Sequence, residues 1–123
     1  MIFKTETIKL FAIAKNLNEF LTEFKLNITS DGLKITEIDS SNVCMLDITL
    51  NKESLTEFNF KEKEIYCLNA NDFYKVLKDN KKTDVSFSIE NNKAIFSFSN
   101  GMFPILLRLI PFHDNQCAIF QHK

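Results

Sequence analysis

The 123 residues predict an α+β domain built on antiparallel sheets, with two helices packed against them. Three observations carry that expectation. Short runs alternate apolar and polar residues between turn-forming clusters, as half-buried strands do. Two segments instead repeat at helical spacing, and several strands separate them, so the helices are segregated rather than alternating with single strands. Hydrophobic residues make up 45% of the chain, enough for a core, and 13 Phe with no Trp supply rings that need no polar partner.

A strand at the N-terminus precedes the first helix. Residues 8–21, IKLFAIAKNLNEFL, place Leu10, Ile13, Ala14, Leu17 and Leu21 along one helical stripe, and Thr7 is positioned to cap it. Phe24, Leu26 and Ile28 alternate as a strand. Ser30-Asp31-Gly32 has hairpin-turn chemistry, and Leu33 and Ile35 continue the core face beyond it. After the loop Asp39-Ser40-Ser41-Asn42, residues 43–50 (VCMLDITL) form the next strand, and Glu64–Leu68 another. The second helix lies within residues 69–84, NANDFYKVLKDNKKTD, with Asn69 or Asn71 as its cap. VSFSI (85–89) and AIFSFS (94–99) alternate cleanly around Asn91-Asn92-Lys93, and ILLRLI (105–110) is the last strand.

Several function classes drop out. Two Gly and two Pro leave no glycine-rich phosphate loop, and no Ser sits in a nucleophile elbow. Cys44, Cys67 and Cys117 are scattered and read as small buried hydrophobes. With His113 and His122 they make no ligand set, so neither metal nor cofactor is expected. Glu37, Asp39 and Asp47 lie close in sequence, but Glu37 and Asp47 fall on neighbouring strands and read as surface or interface polarity, so no enzyme is expected. No apolar run is long enough for a membrane span, and the N-terminus lacks a signal-peptide core. The expected setting is intracellular.

Two features point outward. With Phe73 at 0°, Val76 and Leu77 fall within about 60° of it, while Lys75, Lys78 and Lys82 lie near the opposite pole at about 100° per residue. Lys81 falls on one flank and Asp72 and Asp79 on the other. Yet acids outnumber bases, 16 to 15, and the net charge is -1. Lysines act as point charges on phosphate, and the chain has one arginine, Arg108, so a DNA contact here grips backbone without reading sequence. The second feature is apolar. The core parity set by Leu33 and Ile35 puts Ile38 on the other face, and Leu46, Ile48 and Leu50 put Met45 and Val43 there too. These three bracket one loop as a candidate pocket for partner peptides.

The segment DGLKITEIDSSNVCMLDITL, residues 31–50, resembles the signature of the sliding clamps of archaeal and eukaryotic type, the proliferating cell nuclear antigen family. NANDFYKVLKDNKKTDVSFSI resembles that family's second helix and following strand. LRLIPF followed by QCAIF is similar to the start of its interdomain connector, here residues 111–123. The resemblance covers nearly the whole chain and most resembles the family's N-terminal domain. It implies a ring of domains joined edge to edge, with helices lining a hole for duplex DNA and enzymes docked outside. An acidic exterior around a basic hole then reconciles the lysine face with the net charge.

Carried over by position, the resemblance implies DNA-facing roles for Lys75 and Lys78, with Lys81 and Lys82 as neighbours and Lys9 and Lys15 on the first helix. It implies a partner pocket of Ile38, Asn42, Val43, Met45 and Ile119, with Asn42 standing where many relatives carry His or Arg. The implied partners are double-stranded DNA, a clamp loader, and a DNA polymerase, ligase or nuclease bearing short peptide motifs. Family chains hold two such domains; this chain holds one. Either six copies form a ring, or another chain or segment supplies further domains. The seam of such a ring joins Ile105, Leu107 and Leu109 of one copy to Cys44, Leu46 and Ile48 of the next. The competing expectation is a monomeric clamp-like accessory module that binds a polymerase or another clamp without forming a ring.

Overall fold

The computed structural model describes residues 1–38, 45–101 and 103–111. The chain runs β1 (Phe3–Glu6), α1 (Thr7–Phe20), β2 (Glu23–Thr29), β3 (Gly32–Ile38), β4 (Met45–Asn51), a 3-10 turn (Lys52–Ser54), β5 (Glu57–Phe58), β6 (Glu64–Asn69), α2 (Ala70–Lys78), β7 (Asp84–Glu90), β8 (Lys93–Phe98) and β9 (Ile105–Arg108). All pairings are antiparallel. The strands form one sheet in the order β5-β1-β7-β8-β9 and another in the order β4-β3-β2-β6. This is the α+β arrangement expected from the pattern of strands and segregated helices. The 3-10 turn and the two-residue β5 were not expected.

Each sheet turns one alternating row inward. Phe24, Leu26, Ile28, Leu33 and Ile35 are buried from one sheet, and Phe3, Val85, Phe87, Ala94 and Phe96 from the other. The helices cover these rows with Leu10, Ala14 and Leu17 from α1, and Ala70, Phe73, Val76 and Leu77 from α2. Rings join the layers. Phe73 lies 5.1 Å from Phe24 and 5.9 Å from Phe96, and so touches both sheets. Gly32, at φ +135°, begins β3 where a Cβ would stand 2.3 Å from the Leu50 carbonyl oxygen, so no other residue fits without moving backbone.

Three local expectations are corrected. Thr7 does not cap α1. It is the first helical residue, with Glu6 in the capping position. Its N–H donates to the Thr83 carbonyl at 2.9 Å and its hydroxyl meets that of Thr83 at 3.2 Å, so tertiary partners take the groups a cap would use. Glu37 is not surface polarity: it is 6% exposed. Its Oε2 accepts the Lys25 N–H at 2.7 Å, just beyond the last β2–β3 register pair, Asn27↔Lys34. The second helix stops at Lys78, so Lys82 lies past its end.

Candidate nucleic-acid interface

The lysine face is built from the helix pair. α2 is capped as expected: the Asn69 side chain accepts the Asp72 N–H at 2.9 Å. Asp72 in the first turn and Lys75 and Lys78 in the last suit the helix dipole. With Phe73, Val76 and Leu77 buried, Lys75 and Lys78 stay exposed on the other side. α2 packs beside α1, where Phe11 stacks on Tyr74 at 5.5 Å.

The turn after α2 is pinned by Asn80, which is 4% exposed. Its Nδ2 donates to the Val76 carbonyl at 3.0 Å, and its Oδ1 accepts from Asn100 Nδ2 at 3.1 Å. Its carbonyl accepts the Thr83 hydroxyl at 2.8 Å. Through Thr83 this turn also holds the start of α1. Lys81 and Lys82 therefore project from a braced turn rather than from a helix. Lys81 Nζ lies 4.9 Å from the Phe11 ring centroid and Lys78 Nζ 5.9 Å from that of Tyr74, two cation–π contacts that lay lysines over the helix pair. Sequence reasoning missed Asn80, because an Asn behind an Asp gives no local sign of bonding back to residue 76.

α1 contributes less. Lys15 is exposed alongside Ala12, Asn16 and Glu19. Lys9 is engaged elsewhere: its Nζ is 3.3 Å from Glu6 Oε1 and donates to the Ser54 carbonyl at 3.0 Å. Lys9 is exposed too but paired with Glu6; the other exposed cations of the helix layer are Lys15, Lys75, Lys78, Lys81 and Lys82, against Glu19, Asp72 and Asp79.

Of the candidate peptide pocket, Ile38 at the end of β3 and Met45 at the start of β4 are cross-strand partners. They are 37% and 60% exposed, an apolar pair open to solvent. Asn42, Val43 and Ile119 lie outside the described residues, as do Cys44, Cys117, His113 and His122. Cys67 is buried. Of the candidate seam, Leu46 and Ile48 on β4 and Ile105, Leu107 and Leu109 along and just past β9 are half-buried against the core. β4 and β9 are each the edge of their sheet. Among the described residues no cluster of His, Cys, Asp or Glu could hold a metal ion, and no helix is long and apolar enough to cross a membrane.

Two helices laid over antiparallel sheets with open edges are the fold of the DNA sliding clamps. The chain belongs to the proliferating cell nuclear antigen family: the family model for that antigen's N-terminal domain matches residues 3–101. "DNA polymerase sliding clamp 3" of Sulfurisphaera tokodaii is 40% identical over 92 residues, 74% of this chain and 37% of that relative. "DNA polymerase sliding clamp 2" of Sulfolobus acidocaldarius is 28% identical over 86 residues, 69% of this chain and 35% of the relative. The crystal structure of the PCNA2-PCNA3 complex from Sulfolobus tokodaii superposes with a TM-score of 0.85 at 27% identity, covering 93% of this chain and 48% of that one. The chain thus spans less than half the length of these relatives.

Proposed function

We propose that this chain is a subunit of a DNA sliding clamp, a processivity factor that encircles duplex DNA without reading sequence and tethers replication and repair enzymes. One observation supports it above the others: exposed lysines concentrate on the helix layer, while each of the two sheets ends in an open strand edge. Lysines on such a layer hold phosphates as point charges and leave the duplex free to slide. Open edges are what domains joined edge to edge require, either between copies of this chain or with a chain supplying further domains. The exposed pair Ile38 and Met45 suits a short apolar peptide motif of a polymerase, ligase or nuclease. Nothing in this reading calls for a catalytic step or a bound cofactor, and it places the protein with the DNA inside the cell.

Two variants separate the clamp from an accessory module that binds protein alone. Replacing Lys75, Lys78 and Lys82 together by Ala lowers the salt dependence of DNA binding by a log–log slope of about 2.7, at about 0.9 per phosphate contact. Met45→Glu abolishes peptide docking and leaves DNA binding and assembly intact. An unchanged salt slope in the triple variant removes the lysine-lined hole from the account.

A further inference from the structure

The two sheets meet at a cleft that none of the sites above uses. One wall is the edge of β6. Ala70 N–H donates to the Thr22 carbonyl at 2.8 Å, in register with the β2–β6 ladder. Antiparallel pairs alternate between bonded and non-bonded positions. Glu64, Tyr66 and Leu68 therefore spend their backbone groups on β2, while Ile65 and Cys67 turn theirs to the open edge. The Cys67 carbonyl is taken there by the Ile110 N–H at 3.0 Å, which ties the segment after β9 to β6. The Ile65 N–H and carbonyl have no partner among the described residues, and the Ile65 side chain is 49% exposed.

Ile65 lines a cleft of about 560 Å³ whose other wall is the β8–β9 ladder. Asn91 and Asn92, at φ 52° and 62°, make the tight turn between β7 and β8. Leu109 N–H donates to the Asn92 carbonyl at 2.9 Å, which holds β9 in register and sets Arg108 directly across from Lys93. Both cations are exposed, and both line the cleft. Like charges placed opposite each other are unfavourable alone. Among the described residues neither is in an ion pair. Glu90 stands across from Lys93 on its other side, away from the cleft, and no described acid lines the cleft.

We propose that this cleft takes an extended acidic peptide of a partner protein, added as a strand at Ile65, with a carboxylate held by Lys93 and Arg108. The main chain of such a peptide takes up the open Ile65 groups, as a strand added to a sheet edge does. An apolar side chain beside it covers Ile65. The Arg108 guanidinium grips a carboxylate with its paired donors, and the same negative charge offsets the repulsion from Lys93. Nucleic acid would satisfy the two cations and leave the Ile65 main chain open, so the backbone decides for peptide. β6 and β4 are opposite edges of one sheet, so this surface is separate from the Ile38 and Met45 pair.

The probe is a labelled octapeptide, TVDVEVDT, blocked at both ends and titrated with the full chain by fluorescence anisotropy. Saturable 1:1 binding with a Kd below about 1 mM is expected. Lys93→Gln combined with Arg108→Gln raises Kd at least about tenfold, as does the amide peptide TVNVQVNT against the wild type. Both side chains are exposed, so far-UV circular dichroism of the double variant should match the wild type. The triple Ala variant of Lys75, Lys78 and Lys82 stays within about twofold, because those lysines lie elsewhere. In the complex the Ile65 amide exchanges at least about tenfold more slowly, a sign of strand addition that ionic attraction alone would not give. Absence of saturable binding overturns the proposal, whether residues 112–123 or a second copy already fills the cleft. So do an unchanged Kd in the double variant, an equal loss in the triple variant, or unaltered exchange at Ile65. DNA is absent from this assay, so its failure leaves the clamp reading standing, and failure of that reading leaves this surface standing.

Discussion

Phe73→Ala is the change predicted to cost most. Phe73 is 1% exposed and its ring meets Phe24 of one sheet and Phe96 of the other, so it ties α2 to both. Truncation removes the burial of a full ring and leaves a cavity that two sheets and a helix cannot jointly close. Such substitutions cost about 3–5 kcal/mol. Unfolding entropy of about 2.1 cal/mol/K per residue gives about 0.26 kcal/mol/K for this chain, so a loss of about 4 kcal/mol lowers Tm by about 15 °C. Thermal melts and urea titrations followed by circular dichroism read it. Phe103→Ala is the control: that ring is 93% exposed and its loss should stay within about 0.5 kcal/mol. A Phe73→Ala loss below about 1.5 kcal/mol would refute the view that this ring is the junction of the three layers.

Gly32→Ala should destabilise by at least about 2 kcal/mol in the same assay, since the new Cβ collides with the Leu50 carbonyl oxygen in a left-handed backbone region; a neutral result would mean the β3–β4 hairpin yields easily. Asn80→Ala leaves the Val76 carbonyl and the Asn100 amide without that partner and should cost about 1–3 kcal/mol, with faster amide exchange at residues 79–83; exchange unchanged there would remove its bracing role. Glu37 gives a pH signature. Burial, the largest influence, raises its carboxyl above the ordinary 4.5, outweighing the Lys25 N–H bond and the Lys25 charge. The folded state thus holds this proton more tightly than the unfolded chain. Its contribution to stability is full below 4.5 and is lost as pH rises through the folded value. Denaturant midpoints of Glu37→Gln relative to wild type should therefore rise with pH across that interval; a pH-independent difference contradicts the assignment.

Much of the fold was legible because burial writes a period into the chain. Phe24, Leu26 and Ile28, then Leu33 and Ile35, fixed which face of the strands is inner, and that parity was right wherever it can be checked. It also put residue 37 inward; charge argued against burial, and the Lys25 amide that accommodates the carboxylate comes from the neighbouring strand, which no local pattern announces. β5 is two residues long and exists because Phe58 and Glu57 meet Phe3 and Lys4, a tertiary cause. Helical period alone carried Lys82 onto α2, whereas the Asp79-Asn80 turn ends the helix at Lys78. For the candidate site, the exposed side of α2 was readable from Phe73, Val76 and Leu77. That Lys9 turns to Glu6 and Ser54, and that β4 and β9 are both edges, are facts of three-dimensional pairing.

Enclosure of DNA is the central claim, and retention on closed against open DNA tests it most directly. Protein is assembled on a nicked circular plasmid, passed through gel filtration at high salt to strip simple electrostatic binding, and assayed before and after the plasmid is cut once. The account predicts retention on the circle and loss on linearisation, because a ring slides off a free end. Equal behaviour on circular and linear DNA, whether retained or lost, would contradict it.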